Sequence, residues 1–154
     1  MNTPMENIVN PVVNDGRVNR MSIILFSGTV DKLLAASIMA TGASAMGLEV
    51  DIFLTMWGMM AFRKGAHKEL NKVSADFAEY APMLQQKLSG PGAPNWMENL
   101  EQAKEIGDVH VYACGMTLEM FGMSKTDLED IVDDVVGVAG FVERAKEGKV
   151  TLFV

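Results

Sequence analysis

The run Val109-His110-Val111-Tyr112-Ala113-Cys114, continued by Gly115-Met116-Thr117-Leu118-Glu119-Met120-Phe121-Gly122-Met123, decides how the rest of the chain is read. Its first part joins β-branched and aromatic residues without a breaker, which is the composition of a buried strand. Its second part turns to helix formers, with Met116, Met120 and Met123 at i, i+4, i+7 spacing. Cys114, the only cysteine of the protein, stands at the change-over. A thiol there lies at the carboxyl end of a strand and beside the unpaired N–H groups of a helix start, which favour the thiolate. The alternative is the common fate of a free cysteine, a small buried hydrophobe.

Upstream, Met21-Ser22-Ile23-Ile24-Leu25-Phe26 is an apolar run of the kind buried on both faces of a sheet. Ser27-Gly28-Thr29 follows as a turn able to cap a helix over Asp31 to Met46, which Gly47 ends. The small residues of that helix allow close approach to the sheet or to another subunit. A second strand, residues 49–55, carries Val50, Ile52 and Leu54 on one face and runs into Met56-Trp57-Gly58. A basic patch follows, with Arg63, Lys64, His67 and Lys68. Residues Glu69 to Leu88 have helical spacing, with Pro82 as a break or a helix start, and Ser89 to Pro94 is a loop. Asn95 caps a helix through Glu105, closed by Gly107.

Downstream, Ser124 caps Lys125 to Ile131, a fourth strand is expected at 134–137, a helix at Ala139 to Glu147 and a last strand at 149–153. Strands at 21–26, 49–55, 108–113, 134–137 and 149–153, alternating with helices, predict an α/β fold. It is a three-layer α/β/α sandwich on a mainly parallel five-stranded sheet with right-handed crossovers. Residues 1–19, with Pro4, Pro11 and Gly16, read as an irregular arm before a single domain over 20–154, and Ile8-Val9 and Val12-Val13 as pieces able to dock on a neighbour.

Ligands of such sheets bind outside the carboxyl ends of the strands. Three loops leave that edge together, Ser27-Gly28-Thr29, Thr55-Met56-Trp57-Gly58 and Cys114-Gly115-Met116. Their convergence is the case for a site with Cys114 as its reactive atom and Ser27, Gly28, Thr29, Met56, Trp57, Gly58, Gly115 and Met116 as its surroundings. Gly115 lets the backbone approach, and Met56, Trp57 and Met116 offer a soft apolar wall. His110 shares a sheet face with Cys114 but stands about 13 Å away along the strand, so it is no base for the thiol. The acidic run Asp127, Glu129, Asp130, Asp133 and Asp134 reads as a solvated face.

Other chemistries lack their motifs. The first strand is followed by neither a P-loop nor G-x-G-x-x-G. One cysteine and two distant histidines make no structural zinc site, and no C-x-x-C exists for dithiol redox work. Position 111, three before Cys114, is valine and not the threonine of peroxiredoxin chemistry. No cofactor and no metal are expected. A formal net charge of -7 argues against nonspecific nucleic-acid binding. Residues 1–20 lack a signal-type apolar core, no run is long enough for a membrane span, and the lone thiol suits the reducing cytoplasm. The 13 methionines exceed what a small core needs as filler, and the patch at 56–60 would need covering, either by the arm before Arg20 within one chain or by another copy; a homo-oligomer is expected.

Several stretches taken together resemble the DsrE/DsrF-like sulfur-relay family, in the branch that carries the label peroxiredoxin family protein. They are Ala40 to Gly47, Phe53 to Met60 with Arg63-Lys64, Tyr112 to Met116 with Met120 to Met123, and Val136 to Ala145 through Leu152-Phe153-Val154. The resemblance implies an α/β/α sandwich assembled into homo-oligomers. It also implies that Cys114 carries sulfur as a persulfide between donor and acceptor proteins with reactive thiols. The segment from Lys68 to Pro94 departs from the family pattern, and the second cysteine of some relatives is absent. The competing expectation is a small-molecule-binding or oligomeric scaffold of the same fold with an inert Cys114.

Overall fold

The computed structural model describes residues 15–154. The arm expected over 1–19 lies mostly outside them, as do Ile8-Val9 and Val12-Val13. Five strands form one sheet: β1 (Val18–Leu25), β2 (Glu49–Leu54), β3 (Val109–Cys114), β4 (Asp134–Val136) and β5 (Gly148–Phe153). The order is β4-β3-β2-β1-β5 and every pairing is parallel. Between them run α1 (Val30–Ala45), α2 (Met56–Ala61), α3 (Ala81–Leu88), α4 (Trp96–Ile106), α5 (Gly115–Met120) and α6 (Val138–Glu147). β1 begins at Val18, before the apolar run that revealed it, because its first two residues are exposed and polar or solvent-facing.

The chain winds from β1 to β4 in one direction and then returns to place β5 beside β1. Right-handed crossovers therefore put α1 and α4 on one face and α6 on the other. The alternation of β2 shows both. Val50, Ile52 and Leu54 are fully buried toward α1 and α4. Asp51 and Phe53 point to α6, where Phe53 stacks on Phe141 at 4.5 Å and the Asp51 carboxylate accepts from Arg144 at 2.9 Å.

Ala36, Ala40 and Ala43 of α1 are buried against the sheet and α4, while Ala35, Gly42 and Ala45 are exposed. Ser44 Oγ donates to the Ala103 carbonyl at 3.0 Å, Thr41 Oγ1 to the Asn99 carbonyl at 3.2 Å, and Asn99 donates back to Ser37 Oγ at 3.1 Å. Gly47, at φ +78°, ends α1 as its C-terminal glycine, with the Leu48 amide returning to the Ala43 carbonyl. Asn95 caps α4 through the Met97 amide at 2.9 Å. Thr29 occupies the N-cap of α1 without a side-chain cap bond; the Val30 amide donates instead to the Lys72 carbonyl at 2.8 Å.

Four expectations are corrected. The stretch after β2 is a short helix, α2, and Gly58 lets it lie close against the Leu25 carbonyl, where no side chain fits. Helix does not begin at Glu69; a 3-10 turn at Ala75–Tyr80 leads into α3, with Pro82 in its first turn and no buried residue. Ser124 opens only a 3-10 turn, Lys125–Asp127, since the Leu128 side chain is drawn into the core. The acidic run is not merely solvated. Asp133 pairs with Lys104 and accepts the Val111 amide at 2.7 Å, and Glu129 accepts the Gly65 amide at 2.6 Å.

On the α6 face Arg20 bonds Glu49 at 2.8 Å while Arg144 holds both Glu49 and Asp51. Burial would raise the Glu49 pKa, but Arg20 and then Arg144 outweigh it and hold the carboxyl below its usual range. The unfolded chain then binds the proton more readily than the folded one. The Glu49 contribution is complete above its unfolded pKa and is lost as the pH falls through the folded value. Urea midpoints are expected to be flat near neutral pH and to decline below about pH 5, and Glu49→Gln is expected to flatten that decline. A decline of equal steepness in the variant would assign the acid sensitivity elsewhere.

Candidate functional site

The carboxyl ends of β1, β2 and β3 open onto one edge, and three short-range devices draw their loops together. The Gly58 amide donates to the Phe26 carbonyl at 2.7 Å, and the Thr55 amide to the Leu25 carbonyl at 3.1 Å. A Cβ on Gly28 would lie 2.3 Å from the Trp57 carbonyl oxygen, and one on Gly58 2.1 Å from that of Leu25. Only glycine fits either place. The β2 and β3 loops are joined by Thr55 and Thr117, whose hydroxyls are 3.2 Å apart, and by the Met56 amide on Thr117 Oγ1. Thr117 is thus a buried strut, a role set by Thr55 and Met56 from another loop and carried by no local pattern.

Met56 follows with φ +48°, among the described residues the sole non-glycine in the left-handed region. A side chain there costs roughly 1–2 kcal/mol, and the flanking hydrogen bonds hold it. Ser27 and Thr29 face inward on each other, their hydroxyls 3.1 Å apart, and Thr29 reaches Ser74, which donates to Asp31 at 2.6 Å. Burial raises the Asp31 pKa, but hydrogen bonds from the Ser74 hydroxyl, Thr29 and the Ser74 amide together outweigh it, so the carboxyl sits below its usual range.

Cys114 is the last residue of β3 and the N-cap of α5, at the strand end where the sequence puts it. It is 3 % exposed. By strand alternation its side chain shares the α6 face with Tyr112, over whose ring Arg144 lies at 5.8 Å. Burial, and after it the Asp51 carboxylate, push the Tyr112 phenol up, so it stays protonated. Gly115 faces Val135 and the Val136 carbonyl across the β3–β4 pair. Trp57 is 54 % exposed and rests on Phe121 at 5.8 Å, so it is no core plug. Met116 is exposed and Glu119 points outward. The structure brings the loops of Gly28, Gly58, Met56 and Thr117 together; among the described residues no hydrogen bond or ring contact joins Cys114 to Ser27, Thr29 or Trp57.

His110 is half-buried, with Nε2 2.9 Å from Asp108 and its ring stacked on Tyr112. Its donors, with those of Asp108 and Glu49, fall within 4.8 Å of one another. Glu49 is already held by two arginines, and a cation placed there would face both guanidinium groups. A cleft of about 580 Å³ lies further along α5, lined by Met60, Arg63, Lys64, Phe121, Met123 and Asp127 among others. None of the residues chosen from the sequence as the surroundings of Cys114 lines it, whereas Arg63 and Lys64 of the basic patch do.

These features define an open, all-parallel α/β domain with its loops gathered over the carboxyl edge and one thiol at that edge. The chain belongs to the DsrE/DsrF/DrsH-like family, which it matches over residues 17–89 and 76–153. It is 34 % identical to "Uncharacterized protein YrkE" of Bacillus subtilis, over 90 % of this chain and 98 % of that one. It is 26 % identical to "Sulfur carrier protein DsrE2" of Allochromatium vinosum, over 88 % of this chain and 98 % of that one. In fold it is similar to MTH1491 from Methanobacterium thermoautotrophicum, a protein of unknown function, with a TM-score of 0.56 at 20 % identity over 88 % of this chain and 98 % of that one. The YchN protein of E. coli gives a TM-score of 0.57 at 15 % identity over 89 % of this chain and all of that one. Among the described residues no helix is long and apolar enough to cross a membrane.

Proposed function

We propose that this protein is a cytoplasmic sulfur carrier in which Cys114 holds sulfane sulfur as a persulfide and passes it to a partner thiol. The observation that carries the reading is the place of the sole thiol, at the carboxyl end of β3, in a chain related over most of its length to a sulfur carrier protein. In the first step the Cys114 thiolate attacks the outer sulfur of a donor persulfide. One S–S bond forms, one breaks, and the donor leaves as its thiolate, with no net oxidation. In the second step an acceptor thiolate attacks the outer sulfur on Cys114 and the Cys114 thiolate leaves.

Burial shields the intermediate from water. The amides of residues 115 to 117 have no intrahelical acceptor, which suits them to an anionic outer sulfur. The loops of Ser27-Gly28-Thr29 and Met56-Trp57-Gly58 form the rim that a partner meets, with Met116 beside it. Donor and acceptor are proteins with reactive thiols, and the exposed Trp57, Met116 and Met120 support assembly into a homo-oligomer.

Intact mass after incubation with polysulfide is expected to show one added sulfur atom, removed by dithiothreitol and absent in Cys114→Ser. Unmodified wild-type protein would overturn the reading. The 3 % exposure of Cys114 favours a second one, a scaffold of the same fold with an inert thiol. Alkylation separates them: a carrier thiol reacts in the folded protein faster than free cysteine near neutral pH, and an inert one far more slowly.

A further inference from the structure

We propose that the cleft between the ends of α2 and α5 binds a small organic anion, a single carboxylate or sulfonate carried on an apolar body. The cleft is set apart from Cys114 and its about 580 Å³ falls in the range of small-ligand sites. Its walls are fixed by backbone bonds. The Lys64 amide donates to the Asp127 carbonyl at 2.9 Å, Arg63 pairs with Leu128 in an antiparallel bridge, and the Glu129 amide donates to the Phe62 carbonyl at 2.8 Å. On the other side Gly122, at φ +62°, turns the chain sharply after α5, and the Met123 amide returns to the Leu118 carbonyl at 2.9 Å. A site with walls held in this way is formed before any ligand arrives.

The lining divides by chemistry. Met60, Phe121 and Met123 give thioether and aromatic surface, half-buried and polarizable. Arg63 makes no side-chain hydrogen bond or ion pair within 4 Å among the described residues, and Lys64 only a 3.9 Å approach to the fully exposed Asp130. Asp127 is the one lining acid, and its carboxylate is turned to its own turn, accepting the Ser124 amide at 2.8 Å and hydroxyl at 3.0 Å. Two cations and one acid leave the cleft at +1 in a chain of -7. A guanidinium with open donors beside a greasy wall favours a singly charged oxyanion, carboxylate or sulfonate, with an apolar neighbour. The chain's net charge of -7 disfavours polyanions, which extend beyond the two cations of the cleft.

The test uses 8-anilinonaphthalene-1-sulfonate and its uncharged analogue N-phenyl-1-naphthylamine, with the full chain labelled at the methionine methyls. The sulfonate is expected to bind one to one and to move the Met60 and Met123 methyl signals while leaving Met46, 79 % exposed elsewhere, unmoved. Arg63→Gln with Lys64→Gln is expected to weaken the sulfonate about tenfold or more and the uncharged analogue little. Cys114→Ser is expected to bind both as wild type does, so this inference and the sulfur-carrier reading fail separately. Shifts at Met116 and Met120 in place of Met60 and Met123 would assign the dye to the exposed Trp57 face and overturn the proposal. Equal affinity in the doubly neutralised variant would overturn it as well.

Discussion

Asp51→Asn is expected to cost about 3–5 kcal/mol of folding stability, as judged by urea unfolding at neutral pH. Asp51 is fully buried in the middle of the sheet. Its carboxylate accepts from Arg144 Nε at 2.9 Å and Nη2 at 3.1 Å and lies 3.4 Å from Arg20 Nε. Arg20 is itself 7 % exposed, and its Nε finds no hydrogen-bond partner of good geometry; Ser22 Oγ, on the neighbouring register position, is also without one. The site is therefore rich in donors and poor in acceptors. Asparagine keeps the volume but withdraws the negative charge and one acceptor oxygen, leaving Arg20 with Glu49 as its remaining carboxylate and the Arg144 carbonyl as a neutral acceptor. A buried cation with half its compensation removed is among the few causes of losses this large. Arg144→Met is expected to cost less, about 1–2 kcal/mol, because its side chain is 39 % exposed and the carboxylate it leaves behind retains Arg20. A loss under about 1 kcal/mol for Asp51→Asn would mean that water reaches this network.

That network illustrates what the sequence conceals. Leu48 to Thr55 announces a strand through Val50, Ile52 and Leu54 on one face, but the run does not say what Glu49 and Asp51 meet on the other. Both sit under α6. Their partners, Arg20 and Arg144, lie 29 and 95 residues from Glu49, as the chain numbering shows, and local pattern carries no record of such pairs. The same holds for the acidic run at 127–134. Its charges looked like a solvated face because Lys104 and the Val111 amide, which occupy Asp133, come from other elements.

What was legible followed from period and punctuation. Five strands, their parallel arrangement and the helix ends at Gly47 and Asn95 rest on alternation, on glycine in the left-handed region and on an asparagine cap, all of them local signals. Cys114 was placed at the end of β3 by the switch from strand to helix composition, and it stands there. Its burial was not legible, since exposure depends on what packs over a strand end. Nor was the cleft beside Arg63 and Lys64, which read as a basic patch because Phe121 and Met123 reach it only through the turn at Gly122.

Gly58→Ala is the second change with a large expected effect, about 3 kcal/mol or more, and it separates an architectural role from a chemical one. The new methyl would stand 2.1 Å from the Leu25 carbonyl oxygen and 2.8 Å from its carbon, and these are backbone atoms of a central strand that cannot step aside. The loop after β2 must move instead. Movement breaks the Gly58 amide bond to Phe26 and pulls on Thr55, which shares its hydroxyl contact with Thr117 in α5. Cys114 lies three residues before Thr117, so the disturbance reaches the thiol through one side-chain pair. The variant is expected to unfold at lower urea with an unchanged slope, and its Cys114 to alkylate faster than in wild type while still folded. Thr117→Val keeps the shape and removes the hydroxyl, and it is expected to raise the alkylation rate with a smaller stability loss of about 1 kcal/mol. Were alkylation to stay at the wild-type rate in both variants, burial of Cys114 would rest on β4 and α6 alone, and the convergence of the three loops would be a feature of folding with no bearing on the thiol.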